Sequence, residues 1–370
     1  MNNEIGYEID FLPVGEGEKS GDAIALHWGN ILSNDPTKQT VVVIDGGFAD
    51  SGEALVEHIK KYYQTSTVNC VISTHPDNDH VSGLSVVLEK MTVNCLVMHR
   101  PWLKEHTNGI SDLFVHGRVT DKSVRNRLKE GLDAAYQLEQ LALNKRIQIT
   151  EPFTDVGGYS GALRILGPTQ DYYESLLPDF RSTPQAKQES SISTLFGRAS
   201  SAVANAVKKF AENWDIETLD NDGETSAENN SSAITLFHFN DEYILFTGDA
   251  GIPALTQAVN LLVGEGFNFA KLKFIQVPHH GSQRNIGPTI LNTLIGNRVN
   301  QTKIKTAFVS AAKDGEPKHP AKKVTNAFLR RGAPVYATQG KGLLHRSSNI
   351  PLRAGWSSAS SIQLYTEVEE

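Results

Sequence analysis

Residues 71–83 read VISTHPDNDHVSG. The apolar pair Val71 and Ile72 ends in Ser73 and Thr74, and His75, Asp77, Asp79 and His80 then arrive within six positions. Pro76 and Asn78 are turn formers, so four ligand-type side chains ride on a loop leaving the end of a strand. Imidazole nitrogen and carboxylate oxygen are the donors of zinc, manganese and iron sites. Two His plus two Asp exceed what one ion sharing its sphere with water requires, so the spacing points to a pair of ions. A plain polar turn would need a single aspartate to cap the helix beginning near His80, and Asp79 can be that cap. It has no use for two aspartates flanked by two histidines.

Around this loop, strand and helix patterns alternate. Strands are predicted over 7–14, 22–28, 40–44, 67–73 and 93–98, with a glycine-rich turn through Gly15, Gly17 and Gly21 and helices over 52–63 and 80–90. Such alternation is the mark of a layered α/β fold. A long amphipathic helix is expected over 122–144, with Val124, Leu128, Leu132, Ala135, Leu138 and Leu141 on one stripe, packing across the sheet or beside the site mouth. Strands over 146–150 and 162–166 follow. Residues 175–230 are rich in Ser, Gln, Asn and acids, with one helix expected over 200–214, and read as a partly flexible insertion. A hairpin over 232–239 and 242–247 turns at Asn240-Asp241, and a helix over 253–263 and a strand over 272–277 come next. The chain closes with strands over 306–310, 334–338 and 361–367 and a helix over 321–331.

Four strand ends carry ligand-type residues: Asp45 in Asp45-Gly46-Gly47, the HPDNDH loop, Asp249 after Phe246-Thr247-Gly248, and His279-His280 before Gly281-Ser282. Open sheets place functional groups where strands end and loops begin, so the four can converge at one edge. His238, in a strand context, reads as a packed or exposed residue rather than a ligand.

The 370 residues suffice for one large α/β domain with insertions or for two domains. A hydrophobic fraction of 39% with 21% charged is ordinary for a soluble globular chain, and no apolar run approaches a membrane span. The N-terminal residues lack the basic start and apolar core of a signal peptide, so a cytoplasmic location and no membrane association are expected. Cys70 and Cys95 each end a TVNC tetrapeptide and are expected in buried strands as thiols. A formal charge of −7 provides no global attraction to nucleic acid. Lys313, Lys318, Lys322, Lys323, Arg330 and Arg331 form a local basic span, read either as a solvated helix face or as a phosphate contact.

In order along the chain, FLPVGEGEKSGDAIAL, VVVIDGG, THPDNDHVSGL, NNSSAI, LFTGD, VPHHGS and a late KHP together resemble the metallo-β-lactamase superfamily. Within it they resemble the hydrolase domain of the ComEC competence proteins and its stand-alone relatives. The resemblance implies an α/β fold, a four-layer αββα sandwich, spanning 1–370 as a single domain with insertions near 101–146 and 170–230. It implies two divalent ions, zinc or manganese. His75 and Asp77 would bind the first and Asp79, His80 and His280 the second, with Asp249 bridging and His279 serving the first. Asp45 would orient a liganding group, with Ser232 and Ser282 beside the site. The superfamily's usual third histidine is replaced here by Asn229-Asn230-Ser231-Ser232, and Asp77 stands for a second loop histidine, giving a harder, more oxygen-rich first site.

The expected activity is metal-assisted hydrolysis of a phosphodiester, DNA by this resemblance, with hydroxide held between the ions near Asp249. Asp79, Asp249 and His319 are the candidate catalytic residues, and His319 is either a substrate-phosphate contact, a proton donor or a plain loop histidine. The alternatives are hydrolysis of a small phosphodiester, lactone or β-lactam, and a subunit whose insertions recruit a protein partner.

Overall fold

The computed structural model describes residues 5–15, 19–115, 117–158, 161–184, 209–298, 303–314 and 319–369. One seven-stranded sheet contains β1 (Ile5–Phe11), β2 (Ala23–Asn30), β3 (Gln39–Gly46), β4 (Thr67–Ile72), β5 (Thr92–Val97) and β6 (Gln148–Thr150) side by side. A later strand, β15 (Leu343–Arg346), is added at its β1 edge. The second seven-stranded sheet runs β14 (Val335–Ala337), β13 (Thr306–Val309), β12 (Leu272–Gln276), β11 (Glu242–Phe246), β10 (Ile234–Phe239), β8 (Leu163–Gly167) and β7 (Gly157–Gly158). A two-stranded ribbon joins β9 (Lys209–Ala211) to β16 (Glu367–Glu369).

The sheets are covered by α1 (Ala49–His58), α2 (Asn78–Lys90), α3 (Lys104–Thr107), α4 (Asp121–Gly131), α5 (Asp133–Asn144), α6 (Gln170–Leu176), α7 (Ala227–Asn230), α8 (Ile252–Gly264), α9 (Pro288–Leu294) and α10 (Lys322–Arg330). Successive strand residues face opposite ways, and here both faces are buried. Val41 and Val43 of β3 pack with Leu55, Leu84, Leu128 and Leu138 of the helices. Val42 and Ile44 between them face Phe237, Phe246 and Phe274 of the other sheet. A third apolar cluster places Leu236, Leu245 and Ile275 against Leu255, Leu291 and Phe328 of α8, α9 and α10. Helix, sheet, sheet, helix is therefore the layering, as expected of the αββα sandwich.

Several local expectations are revised. The helix expected over 122–144 is two, because Gly131 ends α4, Leu132 leaves helical geometry at φ −118° and ψ 42°, and Asp133 starts α5. Both halves stay on one core, with Leu128, Leu132, Ala135 and Leu138 all buried. In the 200–214 region the described residues 209–211 form a strand, held by pairing to β16; residues 200–208 lie outside the described ones, as do Gly17 and Lys318. The strand expected over 361–367 shrinks to residues 367–369. The backbone before it bonds to a side chain instead, Tyr365 N donating to Asn326 Oδ1 and Asn326 Nδ2 to Tyr365 O. Asp79 is not the helix cap: Asp77 occupies that position, without a side-chain cap bond, and Asp79 lies in the first turn.

The basic span is neither a solvated face nor an open phosphate contact at its end. Arg330 and Arg331 are both 1% exposed. The Arg330 Nη2 lies 3.0 Å from Glu212, and Arg331 Nη1 lies 2.6 Å from Glu217, so both arginines hold the insertion. Lys323 is buried under Phe210. Cys70 and Cys95 are thiols on facing positions of the parallel pair β4 and β5. His238 stacks on Tyr243 at 4.3 Å between ring centroids.

Candidate metal centre

Each ligand-type residue stands at or just past the end of a strand. Asp45 closes β3, the HPDNDH loop follows β4, Asp249 follows β11 and His279-His280 follows β12. Asp45, His279 and His280 have φ of 55°, 47° and 55°. Non-glycine residues seldom occupy this left-handed region, and strained backbone concentrates where side chains must be aimed.

Asp249 is the centre. Its Oδ2 lies 3.4 Å from His80 Nε2, 3.5 Å from His279 Nε2, 3.7 Å from His75 Nε2 and 3.9 Å from His280 Nε2. Asp79 Oδ2 is 3.7 Å from His280 Nε2 and 3.9 Å from His80 Nε2, and Asp77 Oδ2 is 3.8 Å from His75 Nε2. Donor atoms of Asp79, His80 and His280 lie within 4.8 Å of one another, as do those of Asp22, His80 and Asp249. Side-chain exposures of 29% for His279, 31% for Asp79 and 18% for Asp77 put the mouth on their side. His75, His80 and Asp249 form the buried floor.

The imidazoles share one orientation. His80 Nδ1 donates to Asp45 Oδ2 at 2.8 Å, and His280 Nδ1 to the Ser310 carbonyl at 3.0 Å. His279 Nδ1 donates to Asn285 Oδ1 at 2.8 Å. Thr74 Oγ1 donates to Asp45 at 2.6 Å and accepts from His75 Nδ1 at 3.1 Å. These bonds occupy Nδ1 of each ring and leave each Nε2 facing the centre. The Nε2 atoms of His75, His80 and His280 and Oδ1 of Asp249 are buried with no hydrogen-bond partner among the described residues. Buried orphan polar atoms are costly, and divalent cations bound among them would satisfy them. Tetrahedral ligands about 2.1 Å from zinc stand roughly 3.4 Å apart, close to the separations here. The residues fit a metal centre.

Burial, reinforced by the neighbouring His80, pushes His75 down to about 4, the neutral form a ligand needs. Burial alone would raise the Asp249 carboxyl, but His279, His80 and His280 hold it well below the usual range. Burial would lower His80, yet Asp249, Asp45 and Asp79 raise it. His280 is likewise raised to about 9, burial opposing and Asp249 and Asp79 outweighing it.

The remaining candidates are placed nearby. Ser232 Oγ accepts from Asp249 N at 3.1 Å. Ser282 Oγ accepts from Arg284 N at 3.2 Å, a turn bond. His319 lies beside the cluster, its ring 6.2 Å from that of His279, and burial followed by His280 and His279 lowers it to about 4.

Sequence reasoning did not single out Asp22, Asn285 or Arg181. Asp22 is 1% exposed, accepts from Gln276 Nε2 at 2.9 Å and is raised by burial. Its signal was the aspartate opening a buried strand after the glycine turn. Asn285 ties His279 to the carbonyl of Asp249, which it reaches at 2.7 Å. Arg181 pairs with Asp77 from the insertion.

Residues 35–143 match the model of the metallo-β-lactamase superfamily. The matched stretch includes Asp45 and the whole HPDNDH loop. Among solved structures, a Thermotoga maritima protein provisionally described as a metallo-β-lactamase is similar at 11% identity and a TM-score of 0.34. That alignment covers 70% of this chain and 92% of the other. A search of curated proteins finds no match. Among the described residues no helix is long and apolar enough to cross a membrane.

Proposed function

We propose that the chain is a metal-dependent hydrolase of phosphodiesters. One observation carries the reading: histidines from two strand ends turn Nε2 toward one buried carboxylate while Nδ1 is held elsewhere. His75, Asp77 and His279 would hold one divalent ion and Asp79, His80 and His280 a second, with Asp249 shared, zinc or manganese being the candidates. Such ions, when bound, lower the pKa of water and polarise a phosphoryl oxygen. The protein's part is positioning. Asp45 locks His80 directly and His75 through Thr74, Ser232 fixes the Asp249 backbone, and Asn285 holds His279. His319, neutral at pH 7, is suited to a hydrogen bond with a substrate oxygen rather than to delivering a proton from its charged form.

The ComEC-type motifs extend the substrate to DNA. A small phosphodiester is the second reading, favoured by the formal charge of −7 and by the burial of Arg330 and Arg331. The test is hydrolysis of bis(p-nitrophenyl) phosphate and of single- and double-stranded DNA with zinc or manganese, beside Asp249→Ala. Cleavage lost in the variant supports the metal chemistry. A rate on DNA falling steeply with salt supports the polyanion, since many phosphate contacts release counterions. Cleavage of the small diester alone removes DNA, and inactivity on every diester with metal bound sinks the proposal.

A further inference from the structure

We propose that Arg181 is the specificity-determining residue of this centre, gripping a non-bridging oxygen of an anionic substrate. The proposal rests on the phosphodiester reading above. Arg181 arrives from the insertion, outside the stretch that matches the superfamily. Its stem is anchored: Glu228, 1% exposed, accepts from the Arg181 backbone N–H at 2.7 Å and lies 3.3 Å from Nε. The far edge of the guanidinium reaches Asp77 Oδ1 at the mouth, and the side chain is 57% exposed. A guanidinium has no lone pair to offer a metal, so it cannot join the ligand set. A cation beside divalent ions is tolerated when an anion is shared between them. Asp77 supplies that anion here. Once Asp77 turns to an ion, a substrate phosphate can take its place, because guanidinium and phosphate match in paired hydrogen bonds. An uncharged lactone or ester offers no such oxygen, so Arg181 discriminates by charge.

The experiment compares manganese-loaded wild type, Arg181→Ala and Arg181→Lys. Inorganic phosphate binding is titrated by calorimetry, and kinetics are measured on bis(p-nitrophenyl) phosphate and on uncharged p-nitrophenyl acetate. Arg181→Ala is expected to weaken phosphate about tenfold and to raise KM for the diester similarly, with metal content and acetate hydrolysis unchanged, and Arg181→Lys to regain part of the loss. Unchanged phosphate affinity overturns the proposal. So does a changed manganese stoichiometry with unchanged phosphate affinity, which would make Arg181 a latch over Asp77. If the wild type cleaves no diester, the phosphodiesterase reading fails on its own, and the phosphate titration still decides the role of Arg181.

Discussion

Asp45 shows how much one buried carboxylate can organise. It is fully buried and accepts from Thr74 N, Thr74 Oγ1 and His80 Nδ1, so a single side chain fixes the start of the HPDNDH loop and a ring within it. Outer partners of metal-binding histidines are worth about 10–100-fold in affinity. Asp45→Ala should therefore weaken binding of zinc or manganese by that factor, read by competition with a chelator. Full affinity in the variant would remove Asp45 from the site. The roles open to Asp45 and the loop residues are legible from spacing, because ligand types within six positions after a strand have few uses. Asn285 and Arg181 are not legible, since an asparagine six residues after a histidine and an arginine in a polar insertion are ordinary. Only their distances set them apart.

At the scale of elements, the site depends on how closely α1 and α2 approach β3. A Cβ on Gly83 would stand 2.0 Å from the Gly46 carbonyl oxygen, and one on Gly52 2.3 Å from that of Gly83. Three glycines let backbone meet backbone, which seats the α2 turn carrying Asp79 and His80. Gly83→Ala should cost about 1–3 kcal/mol through overpacking, read as a lower denaturant midpoint, and should lower metal content as the turn shifts. Stability equal to wild type would show that the helix can slide. Here the sequence is informative about α2 itself, whose apolar spacing and preceding loop mark it, but silent on the contact. The split at Leu132 is similar. The apolar stripe runs through both helices, so periodicity cannot show the break that Gly131 makes.

Across the whole molecule, charged side chains tie residues 101–146 and 209–230 to the sandwich. The side chains of Arg330 and Glu212 are both 0% exposed, and Glu212 also accepts from Asn326 at 2.6 Å and Thr218 Oγ1 at 2.5 Å. Removing one partner of a buried pair strands the other charge, at about 3–5 kcal/mol. Glu212→Ala should lose stability on that order in denaturant titration and become more sensitive to protease near the β9–β16 ribbon. A second tie is His106, 1% exposed at the side chain, 2.8 Å from Glu151 and 3.0 Å from Glu174. Both ring nitrogens face carboxylates, which suits the doubly protonated ring. Burial opposes that charge, and the two glutamates outweigh it and raise the pKa. The raised value sets the sign: this stabilisation is complete below the unfolded pKa of about 6.5 and is lost as pH rises through the higher native value. Melting temperature of the wild type should thus fall more than that of His106→Gln between pH 6 and 9. Parallel profiles would show that His106 does not titrate there.

Sequence alone determined the layered fold and which ligand-type residues cluster at strand ends, because hydrophobic period and donor spacing are local properties written in consecutive residues. It also placed the candidate metal ligands in their order along the chain. Tertiary structure alone decided which way each imidazole turns, that Asp22 and Arg181 reach the same centre, and that Arg330 and Arg331 at the end of the basic span are buried in ion pairs. Those outcomes depend on partners far away in the chain, such as Gln276 for Asp22, Asp77 for Arg181 and Glu212 for Arg330. A charge reads the same in sequence whether water or a buried carboxylate answers it.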